Sequence, residues 1–351
     1  MRAQHIRAIV YGVGEMGRIT TRLLVDKGVR IVGAIGNRNN IGRDLGEVAG
    51  LGRSLGVPID NDAERVLSSS AADVVLMSFC SDMETMFPAA CRCIENGMNV
   101  VSITDESFYP WGLFSRRASE LDRLARRHGV TVTGTGIQDL IWLNLVSTLS
   151  AVCHKIDSVS GEASANIDEF GPAAATSAGL GLTPAAFETR FAETRQPPTP
   201  FGVALQGLVA DLGLTLSGSR QRVVPILAAR DTPSVALQRV IREGEVIGTS
   251  HVDEVETVEG PLFSGAFHVK VYEPGETDHC RWQIEGFPNA TVVIPAMPGK
   301  IGTCTIAVNR VPDVINAAPG FVPAQELPRI KYRPYPLHAY VRAGISCEAT
   351  G

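Results

Sequence analysis

The sequence predicts an α/β protein, with an N-terminal doubly wound parallel sheet followed by an α+β domain. Three observations predict it. Short apolar runs alternate with helical stretches through the first 134 residues, a glycine-rich turn joins the first strand to the first helix, and strand-like segments dominate from about residue 156. A βαβα succession needs crossover helices, and these impose a parallel sheet.

In chain order, the apolar run 6–11 reads as a strand and leads into Gly12-Val13-Gly14-Glu15-Met16-Gly17. A helix over 16–26 and a strand over 29–35 follow. Further strands are expected at 72–78, 98–102 and 130–133, with helices over 81–96 and 111–128. The last of these is amphipathic, rich in arginine, and ended by Gly129. Residues 138–150 read as one apolar helix. Beyond it come strands at 156–162, 222–228, 246–258, 266–272, 281–285 and 290–294, with helical pieces near 183–194 and 201–214. Their order suggests a mixed or antiparallel sheet. Residues 300–316 form a final helix that stops before Pro319-Gly320 and packs back on the first domain. The proline-rich stretch 323–336 cannot form a regular element. The expected domains are therefore 1–137, 138–299 and the returning segment 300–351.

Composition narrows the function. At 351 residues the chain is long enough for two domains, and 44% apolar content supports a substantial core. A net charge of −5 and a pI near 5.9 argue against nucleic acid or an anionic membrane as partner. No apolar stretch approaches the length of a membrane span, and nothing before Val10 resembles a secretory signal. The seven cysteines (Cys80, Cys91, Cys93, Cys153, Cys280, Cys304 and Cys347) are scattered and odd in number, which suits reduced thiols in the cytoplasm. His154, His251, His268 and His279 match no metal-ligand spacing, and no metal is expected.

The turn has G-x-G-x-x-G spacing in the strand–turn–helix context that a dinucleotide fingerprint requires. Gly12 permits the tight turn, Gly14 lets a pyrophosphate approach the backbone, and Gly17 lets the helix pack against the strand. Glu15 and Met16 open that helix, where unsatisfied N–H groups favour an anion. An NAD-preferring fold places an acidic residue after the second strand to hold the ribose 2′-hydroxyl. Here that place reads Gly36-Asn37-Arg38-Asn39-Asn40. Asn37 can bond a hydroxyl and Arg38 can meet a 2′-phosphate, so the cofactor is expected to be NADP(H), with NAD(H) also accepted. Solvated loop charges remain the alternative for Arg38 and Arg43.

In an open α/β sheet, ligands sit beyond the carboxyl ends of the strands. Three such ends carry Ser78, Thr104 and Gly136. Glu106 also lies there, just before the aromatic run Phe108-Tyr109-Pro110-Trp111. Aromatic walls would raise its pKa toward the range useful for general acid–base chemistry. The residues alone leave it between that role and a solvated acid in a loop or at a helix start. Asp105 is a second candidate or a cap. Asp139 reads as a cap or first-turn acid, and Trp142 as core or pocket wall.

The glycine turn, Gly36-Asn37-Arg38, Thr104-Asp105-Glu106-Ser107, Gly134-Thr135-Gly136 and the late run Ala307-Val308-Asn309-Arg310-Val311-Pro312 with Ala317-Ala318-Pro319-Gly320 resemble the native amine dehydrogenases. That family stands with 2,4-diaminopentanoate dehydrogenase in the dihydrodipicolinate-reductase-like group. The resemblance covers nearly the whole chain and is densest up to about Phe187. It implies a Rossmann domain, a substrate and dimerisation domain, and a homodimer. The implied activity is NAD(P)H-dependent reductive amination of small aliphatic ketones or aldehydes with ammonia, reversible as oxidative deamination. It implies that Glu106 handles ammonia, that Trp142 walls the substrate cavity, and that Asn309 belongs to the cofactor site. Asn166, Phe170 and Thr176 are weaker candidates for the substrate wall. The chain departs from dihydrodipicolinate reductases, which pair histidines with a lysine for a dicarboxylate; only His154-Lys155 resembles part of that motif. Lys155 is also the sole lysine or arginine between Gly134 and Thr189, which favours an uncharged substrate. A diamino acid dehydrogenase of the 2,4-diaminopentanoate type and a non-catalytic NAD(P)-binding protein are the competing readings.

Overall fold

The computed structural model describes residues 5–191 and 199–342. The chain begins with β1 (Arg7–Tyr11), α1 (Glu15–Asp26), β2 (Arg30–Ile35), α2 (Leu45–Val48), β3 (Ile59–Asp60) and α3 (Ala63–Ser69). Next come β4 (Val74–Met77), α4 (Met83–Glu95), β5 (Asn99–Ser102), α5 (Ser115–His128) and β6 (Thr131–Gly134). A π-helical stretch, Gln138–Asn144, leads into α6 (Leu145–Ser150) and β7 (Lys155–Asn166). Three helices follow, α7 (Gly171–Ser177), α8 (Pro184–Phe191) and α9 (Pro200–Asp211). Then come β8 (Leu216–Leu227), β9 (Thr232–Ser234), β10 (Arg239–Ile241), β11 (Val246–Thr257), β12 (Leu262–Lys270), β13 (Cys280–Phe287) and β14 (Ala290–Ile294). The chain closes with α10 (Gly299–Asn316) and β15 (Gly320–Phe321). Two compact units result: residues up to Asp139 together with those from Lys300, and Leu140–Gly299.

In the first unit the described strands run in the order β15-β6-β5-β4-β1-β2-β3, all parallel. The order reverses between β1 and β4, which is where such a sheet binds ligands. Strands covered on both faces should be apolar throughout rather than alternating, and β4 (Val-Val-Leu-Met) is buried along its whole length. Successive residues feed opposite layers. Ala8, Val10, Leu76 and Val101 meet Val308, Val311 and Val314 of α10 on one face. Ile9, Val75, Met77 and Val100 meet Met86, Ala90 and Ile94 of α4 and Leu121 of α5 on the other.

Some expectations shift. Helix α5 starts at Ser115 rather than 111, because Trp111 turns into the core and meets Phe321 edge-on at 6.1 Å. Gly129, at φ +68°, ends it as expected. The expected helix 138–150 is π-helical in its first half. Short β3 and β15 carry too few residues to show any periodicity.

The second unit holds a mixed sheet in the order β14-β13-β7-β12-β11-β8, in which the described pairings are antiparallel except for β7 with β12. Helix α9 lies on it. Phe201 stacks on Trp282 at 5.3 Å and sits so close over Gly265 that a Cβ there would come within 2.0 Å of the ring. Strands β8 and β12 start well before the expected 222–228 and 266–272, at Leu216 and Leu262, because the polar and glycine residues of their first halves carry no strand periodicity.

Asp253 on β11 is 5% exposed and accepts a bond from Thr199, which in turn caps α9 by accepting from the Gly202 amide at 2.9 Å. Burial pushes the Asp253 carboxyl up to about 6, against the Thr199 bond that favours its charge. An unfolded carboxyl titrates near 3.8. Between those values the folded chain holds the extra proton, so stability falls as pH rises through the window and is flat above it, by about 3 kcal/mol at 1.36 per pKa unit. Asp253→Asn, with no proton to lose, should remove that part of the slope in urea midpoints taken across the window. An unchanged slope would mean that Asp253 titrates normally.

Candidate active site

The glycine turn shows why each glycine is needed. Gly12 has φ +106°, and a Cβ there would come within 2.8 Å of the Ser78 backbone. A Cβ on Gly17 would overlap the Gly12 carbonyl oxygen at 1.8 Å, so α1 packs directly on the turn. Gly14 differs. It is exposed, caps α1 with no side-chain bond to the first-turn amides, and a Cβ would meet nothing within 4 Å. That open ground in front of unclaimed N–H groups fits a pyrophosphate. Gly14→Val should therefore leave the melting temperature nearly unchanged while weakening dinucleotide binding by roughly tenfold or more. Fluorescence titration of the reduced cofactor checks it, and unaltered affinity would place the phosphates elsewhere.

Ser78 braces the turn, donating through its hydroxyl to the Gly12 carbonyl at 3.0 Å. Glu15 points outward and pairs with Lys300 at 3.1 Å, while the Met16 carbonyl accepts from the Cys304 thiol at 3.4 Å. Asn37 and Arg38 stand exposed beyond β2. The next carboxylate, Asp44, is committed elsewhere. Burial opposes its charge, yet backbone amides including Leu55 and Val57 hold it at about 2. It anchors its own loop and does not reach for a ribose.

After β5 the chain makes a 3-10 turn over Asp105–Ser107. The turn is pressed against the end of β6, where a Cβ on Gly134 would lie 2.1 Å from the Ser107 carbonyl oxygen. Thr104 is buried and donates to the Cys80 carbonyl at 3.1 Å. Glu106 accepts the Met83 amide at 2.6 Å, so its carboxylate sits at the positive start of α4. Its pKa is nonetheless raised. Burial is the main cause, the Met83 bond opposes it, and the charges of Asp82 and Glu84 add to it. Trp111 of the aromatic run packs against the core beside Phe321.

Asp105 is more strongly perturbed. Burial pushes it up to about 6 against bonds from Ser81 and Gln138, the latter at 2.8 Å, and the charge of Glu106 works in the same direction as burial. Gln138 also lies against Gly136, whose φ is +136°. Thr303 of α10 borders Gly136, and Asn309 is buried one and a half turns further along that helix. The sequence reading missed Ser81, Met83 and Gln138 as supports. The Ser81-Asp82 pair before an apolar helix was the available sign of a helix start offering free amides.

Asp139, expected as a cap, instead forms a fully buried pair with Arg310, at 2.6 and 2.7 Å. Thr135 donates to the same carboxylate at 2.8 Å.

In the second unit Trp142 is 2% exposed, 4.5 Å from Phe201 and 5.9 Å from Phe267 between ring centroids. The indole nitrogens of Trp142 and Trp282 are buried without a hydrogen-bond acceptor among the described residues, and burial pushes the Cys280 thiol to about 12. Asn166 accepts the Asp168 amide at 3.2 Å and so caps a 3-10 turn. Phe170, in that turn, is 51% exposed, and Thr176 on α7 is exposed. Trp142 is thus the deeply buried member of the four candidates.

Residues 140–333 match the family profile of the 2,4-diaminopentanoate dehydrogenase C-terminal domain. The chain belongs to the 2,4-diaminopentanoate dehydrogenase family. Across 335 residues it is 31% identical to 2,4-diaminopentanoate dehydrogenase of Acetoanaerobium sticklandii, covering 93% of this chain and 94% of that protein. The structure of an amine dehydrogenase from Mycobacterium smegmatis superposes with a TM-score of 0.86 at 42% identity, over 95% of this chain and 99% of that one. A shorter likeness, 33% over 101 residues, links it to 4-hydroxy-tetrahydrodipicolinate reductase of Archaeoglobus fulgidus, spanning 28% of this chain and 37% of that protein. As a member of the 2,4-diaminopentanoate dehydrogenase family the chain is an oxidoreductase, with amine dehydrogenases among its relatives. The open Gly14 turn agrees with a nicotinamide dinucleotide as cofactor class. Among the described residues no helix is long and apolar enough to cross a membrane.

Proposed function

We propose that this protein catalyses NAD(P)H-dependent reductive amination of small aliphatic ketones and aldehydes with ammonia, and the reverse deamination of primary amines. The observation that carries it is Glu106, a half-buried carboxylate of raised pKa beyond the end of β5, in the unit that holds the open glycine turn. Such a group holds an ammonium ion, takes its proton to free the nucleophile, and returns a proton to the hydroxyl that leaves the carbinolamine as water. The bound dinucleotide supplies hydride to the resulting iminium carbon. Gly12, Gly14, Glu15, Met16 and Gly17 form its pyrophosphate turn. Asn37 and Arg38 face the adenosine ribose, which supports NADP(H) with NAD(H) also accepted. Ser78, Thr104, Gly136 and Asn309 complete the cofactor side. Trp142, with Asn166, Phe170 and Thr176, walls the substrate.

The first unit is the cofactor domain, and the second is the substrate and dimerisation domain. Helix α9 covers one face of the second sheet. The opposite face carries Ser160, Leu262 (55% exposed), Arg281 and Val293, which a second copy would cover in a homodimer.

Lys155 bears on the substrate. It is exposed and bound to Asp157 at 2.5 Å, so it does not offer a carboxylate clamp. That supports uncharged carbonyls over a diamino acid, the second reading, which the Acetoanaerobium sticklandii relative favours. A panel of alkyl ketones and aldehydes with ammonium and either reduced cofactor, followed by absorbance, tests the proposal. It predicts ammonia-dependent cofactor oxidation with alkyl carbonyls, faster than the reverse reaction on 2,4-diaminopentanoate. Cofactor binding without any such oxidation would leave a non-catalytic binding protein.

A further inference from the structure

Helix α10 has a distinct site at each end. Its first turns adjoin the glycine turn through Lys300 and Cys304, and its 18 residues reach about 27 Å along the unit at 1.5 Å per residue. At the far end lies a second concavity of about 480 Å3, formed by the end of α10 and the segment that follows it. Its lining includes five cations, Arg126, Arg329, Lys331, Arg333 and Arg342, against two carboxylates, Asp313 and Glu326.

Tracing each charge to its partner leaves a surplus. Arg126 is paired with Asp122 at 2.8 Å. Asp313 on the floor is already held by Arg333 at 2.5 Å and approached by Arg310 at 3.5 Å. Arg329, Lys331 and Arg342 are exposed and make no ion pair among the described residues. Glu326 alone remains to set against them. Arg333 is buried and spent on Asp313, so it adds no free charge to the lining. Like charges gathered within a Debye length repel one another, and a concave wall of low dielectric focuses their field. In a chain of net charge −5 such a local excess has to come from side-chain placement rather than bulk composition. The size is within the range of small-ligand cavities.

We propose that this concavity is a binding site for a small polyvalent oxyanion, with arginine and lysine donors taking phosphate or carboxylate oxygens as charge-assisted hydrogen bonds. It is separate from the dinucleotide's phosphates, which the opposite end of α10 adjoins. Occupation would neutralise Arg329, Lys331 and Arg342 together.

Isothermal titration of the full-length protein with inorganic pyrophosphate, and separately with citrate, tests the site. Each titration is run with and without saturating NADPH. The expected result is saturable binding of at least one anion at one site per chain, equally tight with NADPH present and weakened by added salt. The tighter anion tells phosphate from carboxylate chemistry. The triple variant Arg329→Ser/Lys331→Ser/Arg342→Ser should bind roughly tenfold or more weakly, since charged donors are lost, with its melting temperature and NADPH affinity unchanged. The single variant Lys331→Glu should show the same direction if the triple variant is poorly folded. No saturable binding of either anion, binding abolished by NADPH, or equal affinity in wild type and variants would each overturn the site.

Discussion

Glu106→Gln should lower kcat/KM for reductive amination by about 10²- to 10⁴-fold, the usual contribution of a positioned acid–base group, while NADPH affinity stays unchanged. The fold should survive because the amide oxygen of glutamine can still accept the Met83 N–H that Glu106 accepts at 2.6 Å. What disappears is the titratable proton. Because the pKa of Glu106 is raised, the ionised form that takes a proton from ammonium accumulates only as pH climbs past the ordinary glutamate range. The wild-type rate should therefore show an acidic limb that rises with pH, and the variant's residual rate should lack the limb. Steady-state kinetics across pH and a cofactor titration check both halves. Turnover within a few-fold of wild type would remove Glu106 from the chemistry and leave it as a helix-start anion for α4.

The second large effect is on stability. Arg310→Ala should destabilise the protein by about 3–5 kcal/mol, the cost of leaving a buried charge without its partner. Arg310 and Asp139 are both fully buried and joined by two bonds, at 2.6 and 2.7 Å. The same guanidinium donates to the Pro328 carbonyl at 2.5 Å and the Ala324 carbonyl at 3.2 Å. Truncation thus strands a carboxylate and two backbone acceptors at once. Replacing both partners by apolar residues, Asp139→Leu with Arg310→Met, should recover part of the loss, because Asp139 no longer leaves an unpaired charge, while the Pro328 and Ala324 carbonyls stay without their donor. Urea unfolding of the single and double variants measures it. A loss below about 1 kcal/mol for Arg310→Ala, the level of a solvated pair, would show that water reaches Asp139. Activity should fall along with stability, since Asp139 follows Gln138, which bonds Asp105 beside Glu106.

The parallel sheet was legible because β1, β2, β4, β5 and β6 are short apolar runs and α1, α4 and α5 are amphipathic. The glycine turn was legible because Gly12 and Gly17 answer to backbone geometry alone. Three features were not. Residues 59–60 and 320–321 pair as strands only because neighbours receive them, as when the Phe321 amide donates to Asp122 at 3.0 Å. The polar halves of β8 and β12 look like loop until a partner strand claims their backbones. Arg310, with Asp313 three residues on as its local partner, gave no hint that Asp139, 171 positions earlier, held it. At the site, sequence singled out Glu106 and Trp142. The stronger perturbation of Asp105 comes from its burial, with the charge of Glu106 adding to it, and depends on how the folded chain closes around the turn, which no local pattern encodes.

The first unit takes its last strand, β15, and the helix α10 of one covering layer from beyond residue 299. During synthesis, a ribosome that has made everything up to Gly299 has supplied the complete second unit but left one side of the parallel sheet covered only by α1 and α2, without Val308, Val311 and Val314. The first unit therefore completes its core only after the second has been made, and a chain cut short at Gly299 lacks the α10 residues that pack on Ala8, Val10, Leu76 and Val101.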